Sequence, residues 1–358
     1  MTKSVDVNDI NSFEDTLGEV LELLDSDEQQ FIYLTGAAGT GKTTLIEKVL
    51  DENNLKKIVV APTGVAALNI GGSTINSAFR IGFDTFPVIQ ESNDPRFKKL
   101  LKKLELLIID EISMVRAPML DAISATLQLY RNSKEPFGGV HVLACGDLFQ
   151  LPPVVKDHEV NAIDEKYESV YFFSSNSFKE IKSPNFFELT YSFRQSEDEN
   201  FYSLLNNVRL GENLEDSINQ INRACFNPDF ESESSLIITT RKYRAEQINE
   251  EMLNFIEGPA TSAKSDEFGE FNENDLPAPR NLRIKKGAKV MFIKNDSEGR
   301  WVNGTIGEVT NCSDKKGRFL RVQVGDDTHK VKREEWNKIK YVYDEYNDEM
   351  EEEIVSSF

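Results

Sequence analysis

"FIYLTGAAGTGKTTLIEKVL", residues 31–50, changes its period halfway along. The first four residues form a continuous apolar run, the pattern of a strand buried on both faces. Toward its end, Leu45, Ile46, Val49 and Leu50 fall on one face of a helix. Between the two lies "GAAGTGKT" (36–43), which fits the phosphate-loop pattern G-x-x-x-x-G-K-[ST]. Gly36, Ala37, Ala38, Gly39, Thr40, Gly41, Lys42, Thr43 and Thr44 are thereby the candidate ATP-binding residues. The glycines let backbone N–H groups turn toward phosphate, and the helix N-terminus adds partial positive charge. Lys42 suits the β- and γ-phosphates, and the Thr43 hydroxyl suits Mg²⁺. A chance Gly-rich turn would lack the strand before it and the helix after it. This context sets the fold class as α/β.

Three more apolar runs follow: "IVVA" (58–61), "LELLIID" (104–110) and "VHVLACGD" (140–147). Their alternation with helical patterns implies a parallel sheet covered by helices. "LLIIDEIS" (106–113) ends its strand in two acids. An acid at such a strand end can bind the water shell of Mg²⁺, so Asp110 joins Thr43 as a metal residue. Glu111 is placed to orient or deprotonate the attacking water. Two solvated acids are the plainer alternative, and the phosphate loop weighs against it. "GDLFQLPPVV" (146–155) poses a harder question. If its strand runs parallel to the others, Asp147 and Gln150 emerge at the same sheet edge. Gln150 can then sense the γ-phosphate, joining Lys42 and Glu111 as catalytic candidates, and the rigid Leu151-Pro152-Pro153 turn can relay the signal. A proline-stiffened loop with a capping Asp147 fits the same spacing.

The 358 residues are enough for about two domains with ample core. No apolar run approaches the ~20 residues of a membrane span, and the N-terminus lacks a signal-peptide layout, so no membrane role is expected. Three widely spaced cysteines argue against a zinc site or disulfide framework and favour a reducing compartment. The expected location is cytoplasmic, nucleoid-associated if the source is bacterial. The net charge of −20 at first opposes a nucleic-acid partner. Charge is uneven, however: "RFKKLLKK" (96–103) and "RNLRIKK" (280–286) are basic, and a local groove can be positive in an acidic chain.

Residues 77–103 break the strand–helix pattern and read as a small insertion. A second unit starts near 190, with a strand at 234–240 and a helix carrying Ala245, Ile248, Met252 and Ile256. Residues 257–281 read as a loop. From 288 onward, short strands with glycine turns predict a small β-barrel insertion.

These segments together resemble a known family. "GAAGTGKT", "APTGVAALNIGGSTINSAF", "IIDEISM", "PFGGVHVLACGDLFQLPPVV" and "ELTYSFRQ" are similar to consecutive motifs of Pif-type DNA helicases, RecD-like members of superfamily 1, subgroup B. "LDAISATLQLYRNSKEPFGGVHVL" resembles that family's own signature segment. "LRIKKGAKVMFIKNDSEGRWVNGTIGEV" resembles its entry into an SH3-like insertion. The likeness runs from about residue 30 to 310. It implies tandem RecA-like domains: residues 1–189 as the first, 190–295 as a partial second, and 296–358 as the SH3-like insertion and acidic tail. It also implies a motor using ATP and Mg²⁺, moving 5′ to 3′ on single-stranded DNA and unwinding 5′-tailed duplex DNA; a monomer is expected. Arg194 would reach the γ-phosphate as an arginine finger, unless it is a surface residue in an ion pair. Thr63 and Gly64 would hold a DNA phosphate, Asn76 would line the strand path, and Phe79 would stack on a base or else sit in the core. Pro152, Thr240, Arg241 and Asn303 complete the DNA-binding candidates, although Arg241 can equally be solvated.

The chain departs from the family pattern in places. The family usually has His where Asn76 stands, and no glutamine occupies the usual adenine-reading position, since Gln29 and Gln30 are too close to the phosphate loop. "HKSQG"-like and "ALSR"-like motifs are absent. The expectation is an N-terminal part of a longer helicase, or a variant lacking its last section, with ATP binding intact and turnover and unwinding weakened. The alternative function is a non-motor ATP switch that binds a protein partner through its acidic tail.

Overall fold

The computed structural model describes residues 11–82, 84–89, 91–193, 199–227, 236–269, 276, 278–294, 296–301, 304–313, 319–344 and 349–357. The chain divides into two compact units, 1–225 with 338–355 and 226–337 with 356–358. The first unit begins with α1 (Asn11–Leu24), β1 (Phe31–Gly36), α2 (Lys42–Glu52), β2 (Lys57–Ala61), α3 (Gly64–Asn69), β3 (Ser73–Thr74) and α4 (Ile75–Phe79). It continues through α5 (Pro95–Lys103), β4 (Leu106–Ile109), α6 (Ala117–Arg131), β5 (His141–Cys145), α7 (Asp157–Asp164), α8 (Asn176–Lys179) and β6 (Asn185–Leu189). Helices α9 (Glu199–Leu210) and α10 (Leu214–Cys225) follow.

The apolar runs form a six-stranded sheet, ordered β3-β2-β4-β5-β1-β6, and its pairings are parallel. All four residues of β4 are buried, as continuous apolar runs require of strands covered on both faces. One face packs Leu17, Val20, Leu45, Ile46 and Val49 from α1 and α2. The other packs Phe97, Leu100 and Leu101 of α5 with Leu120, Ile123 and Leu127 of α6. Within the expected insertion, α5 starts where the Asp94 side chain accepts the Arg96 and Phe97 N–H groups, with Pro95 in its first turn. Lys102 and Lys103 close that helix where basic charge complements its dipole.

The acidic tail is structured among the described residues. Strands β13 (Asn337–Asp344) and β14 (Glu349–Ser357) pair as a two-stranded sheet, most of which belongs to the first unit. Two-residue β3 pairs only with Val60 and Ala61, so the outer edge of β2 is open at Val59. The buried Tyr341 hydroxyl closes it, accepting the Val59 N–H at 3.2 Å and lying 3.4 Å from the Val59 carbonyl. Tyr341→Phe would leave a buried donor unpaired. It is expected to lower stability by about 1–3 kcal/mol in urea unfolding. A change under about 0.5 kcal/mol would show that the hydroxyl does not secure this edge.

In the second unit α11 (Lys242–Phe255), β7 (Thr261–Lys264) and β8 (Asn281–Ile284) come first, the two strands pairing antiparallel. Strands β9 (Lys289–Met291), β10 (Ile306–Ser313), β11 (Phe319–Val324) and β12 (Asp327–Lys332) form an antiparallel sheet over Ile284, Ala288, Val309 and Val322. The expected β insertion is therefore present, and its sheet begins before residue 296. The expected strand at 234–240 is not formed over the described residues 236–240. No described strand pairs with them, and Leu236 and Ile238 stay 61% and 89% exposed. The α11 face is as expected in sequence, but Ala245, Ile248, Met252 and Ile256 are only half-buried. The division into units also differs from the expected domain scheme: α9 and α10, assigned to a second RecA-like domain, belong to the first unit.

Candidate nucleotide site

Strand order places β5 between β4 and β1, and the registers Ile109 with Ala144 and Leu34 with Cys145 align their ends. The phosphate loop leaves β1, Asp110 and Glu111 leave β4, and Asp147 and Gln150 leave β5, all at one sheet edge. Glycine is required at two of these tips. A Cβ on Gly36 would stand 2.5 Å from the Leu189 carbonyl and 2.7 Å from Thr40 Oγ1. A Cβ on Gly146 would stand 3.0 Å from both Ile112 Cγ2 and the Ser113 nitrogen. The Tyr33 hydroxyl donates to the Gly146 carbonyl at 3.1 Å and fixes the β5 tip to β1. Burial pushes that phenol up to about 12.

Inside the loop, the Lys42 ammonium donates to the carbonyls of Gly36 and Ala37 at 2.8 and 3.0 Å. Thr40 is buried and its hydroxyl donates to the Ala37 carbonyl at 2.9 Å. Gly41 takes the left-handed conformation, φ 91°, directly before α2, while Thr43 and Thr44 are exposed on the first turn. Two aromatic rings flank this turn. Phe13 and Phe193 meet edge-on at 6.3 Å between centroids, and the Phe193 N–H donates to the Gly39 carbonyl at 3.0 Å.

Asp110 accepts the Glu111 N–H at 3.0 Å. Burial raises its carboxyl above the ordinary range, against the opposing pull of that N–H, Lys42 and a Cys145 hydrogen bond. Glu111 adopts a left-handed backbone, φ 51°. Its carboxyl is raised too, first by burial and then by the charges of Asp110 and Asp147, with Lys42 opposing. Two half-buried acids beside an ammonium fit a site for a divalent cation held partly by phosphate oxygens. No group of three or more His, Cys, Asp or Glu among the described residues is arranged to hold a metal alone. Mg²⁺ needs none, since it binds through one or two carboxylates and substrate phosphates. Thr43, exposed on the first turn of α2, and the half-buried Asp110 are the side chains at this edge that could take part in such a site.

Asp147 is buried and accepts from the Phe149 N–H at 3.1 Å, from Gln150 Nε2 at 3.0 Å and from Arg209 on α9. Burial favours its neutral form, but these donors, Arg209 first, outweigh burial and hold its carboxyl below the ordinary range. The capping role weighed for Asp147 is thus present: its carboxylate holds the Phe149 N–H and the Gln150 side-chain amide together at the β5 exit. Arg209 lies in none of the quoted motifs; of the aromatic pair, Phe193 falls within "ELTYSFRQ" and Phe13 in none of them.

The DNA-binding candidates fare unevenly. The Thr63 side chain caps α3, its oxygen accepting the Ala66 N–H at 3.2 Å, with Gly64 as the first helical residue. Asn76 Nδ2 is occupied, donating to the carbonyls of Ile81 and Gly82 at 3.0 and 3.1 Å, so it braces the turn after α4. Phe79 is 2% exposed in the core beside Ile75 and Ala78, which removes it as a stacking surface. Its ring faces the apolar cluster because that helix has only one buried stripe. Pro152 is exposed at the β5 exit, and Thr240 and Arg241 are exposed in the second unit. Arg194 and Asn303 lie outside the described residues.

A phosphate loop, an acidic strand tip and a polar strand tip on adjacent parallel strands define a RecA-like, P-loop nucleotide-binding core. The family model for PIF1-like helicases matches residues 11–219. The chain belongs to the PIF1-like helicase family. It is 33% identical to the ATP-dependent DNA helicase Pif1 of Bdellovibrio bacteriovorus, covering 88% of this chain and 72% of that protein. It is 32% identical to ATP-dependent DNA helicase PIF1 of Candida albicans, covering 86% of this chain but 36% of that protein. Among solved structures, Bacteroides sp. Pif1 in complex with ADP-AlF4 matches with a TM-score of 0.85 and 34% identity, over 95% of this chain and 78% of that one. Bacteroides Pif1 in complex with ADP-AlF3 and single-stranded DNA matches at 0.62 and 34%, over 96% and 79%.

Proposed function

We propose that this chain hydrolyses ATP with Mg²⁺ and uses the cycle to move 5′ to 3′ along single-stranded DNA, opening 5′-tailed duplexes. The observation that carries this reading is the convergence of Lys42, the Asp110–Glu111 pair and Gln150 at the ends of three adjacent strands. In this scheme the loop amides and Lys42 bind the phosphates, and Thr43 and Asp110 would hold Mg²⁺, which would supply charge neutralisation when bound. Glu111 takes a proton from the attacking water, and Gln150 meets the γ-phosphate. Arg194 supplies transition-state charge. Thr63, Gly64, Pro152, Thr240, Arg241 and Asn303 are proposed to contact DNA, with a single-stranded complex of the Bacteroides relative in support. We also propose that Arg194 and α11 belong to a partial second RecA-like domain. A monomeric state and a reducing, cytoplasmic setting belong to this proposal as well, the latter supported by three free cysteines.

The test is ATPase activity with and without single-stranded DNA across a salt series. Stimulation that falls steeply with salt is expected, because DNA contacts release counterions. Absence of stimulation at every salt concentration would favour the non-motor switch instead.

A further inference from the structure

The tip of β5 is anchored to a helix outside the recognised motifs. Asp147 is 1% exposed and faces Arg209 of α9, whose side chain is 14% exposed. The guanidinium grips the carboxylate at two points, Nε to Oδ2 and Nη2 to Oδ1, each 2.9 Å. Its centre lies 4.7 Å from the Phe149 ring. Such a two-pronged, largely desolvated pair is among the stronger and more directional contacts a protein makes. Gln150 Nε2 donates to the same Oδ2 at 3.0 Å. The sensing amide and the anchor therefore share one oxygen. Beyond Arg209, α9 is tied to α10 by Asn207 Nδ2, which donates to the buried Ser217 hydroxyl at 3.3 Å.

We propose that Arg209 is a positioning residue that transmits the nucleotide-dependent state of Gln150 to the α9–α10 pair. When Gln150 turns toward a γ-phosphate it gives up Oδ2, and the Asp147–Arg209 pair readjusts around the vacated lone pair. Because the pair is rigid, the readjustment moves α9, and Asn207 carries α10 with it. A purely structural ion pair would hold α9 alike with or without nucleotide; the shared oxygen makes the difference. This inference rests on the proposed role of Gln150 at the γ-phosphate.

Hydrogen exchange over residues 199–225, with and without saturating Mg²⁺ and ADP-aluminium fluoride, tests it. In the wild type, nucleotide is expected to change exchange in these helices by about threefold or more. Arg209→Ala should remove the nucleotide-dependent difference, and Arg209→Lys, which keeps charge without the fork, should retain part of it. Gln150→Ala should remove it too. Gln150→Ala leaves the Asp147–Arg209 pair in place, so its effect is not fraying of α9. The double variant should lose no more than either single one. A difference that survives in Arg209→Ala, or that is missing from the nucleotide-bound wild type, overturns the proposal. Failure of the wild type to bind nucleotide would overturn the site reading and this proposal together. Loss of DNA-stimulated ATPase alone would strike only the motor.

Discussion

Lys42→Ala is expected to lower ATP turnover by about 10²–10³-fold, the usual cost of removing one preorganised charge from a transition state. The ammonium sits within the phosphate loop, held on the carbonyls of Gly36 and Ala37. Truncation removes the charge and leaves the turn, whose shape depends on Gly36, Gly41 and the buried Thr40. The melting temperature should accordingly change little while turnover collapses. Steady-state ATPase and a thermal melt on the same preparation check this. Turnover within about tenfold of wild type would remove Lys42 from the reaction.

Glu111→Gln should be nearly as damaging, at about 10²–10⁴-fold in turnover, because an amide cannot accept the water's proton. Its pH behaviour distinguishes it from Lys42→Ala. Burial, with the negative charges of Asp110 and Asp147, raises the Glu111 carboxyl above its ordinary 4.5. The base form is lost as pH falls through that raised value, so the acid limb of kcat/KM should lie above pH 4.5. At saturating Mg²⁺, where metal binding keeps Asp110 ionised, the residual activity of Glu111→Gln should not show this limb. The stability sign is opposite. A carboxyl whose folded value is raised favours folding in its protonated form, and that contribution is lost as pH rises through the folded value. At neutral pH without metal, Glu111→Gln should therefore unfold at the same temperature as wild type or a higher one. A clear fall in melting temperature would mean that Glu111 is a structural acid.

Most of the first unit was readable in the sequence because its signals are local. Continuous apolar runs fixed four strands, and Leu45, Ile46 and Val49 of the helical face are fully buried. Asp110, Glu111, Asp147 and Gln150 were legible as strand ends, since parallel strands deliver their C-terminal residues to one edge. What escaped depends on distant partners. Phe79 could be stacking or core by spacing alone, and only the packing of α4 against the sheet decides for core. Arg209 is 62 residues from Asp147, and nothing in "NNVRLG" marks it. The run "LIITT" has strand composition, but composition does not supply a neighbour, and residues 236–239 remain unpaired. The acidic tail suggested only a surface for a protein partner, whereas the Tyr341 hydroxyl just before it ties β13 to Val59 of β2 through a hydrogen bond.

The near-contact at Gly146 has a mechanical meaning. With only a hydrogen where other residues carry carbon, the peptide of one blade lies flush on the corner of the next. The acid that would hold a cation and the amide that would feel its phosphate are then mounted on a single stiff plate. A methyl at position 146 would press on Ile112 and the Ser113 nitrogen and act as a wedge between the two strand exits.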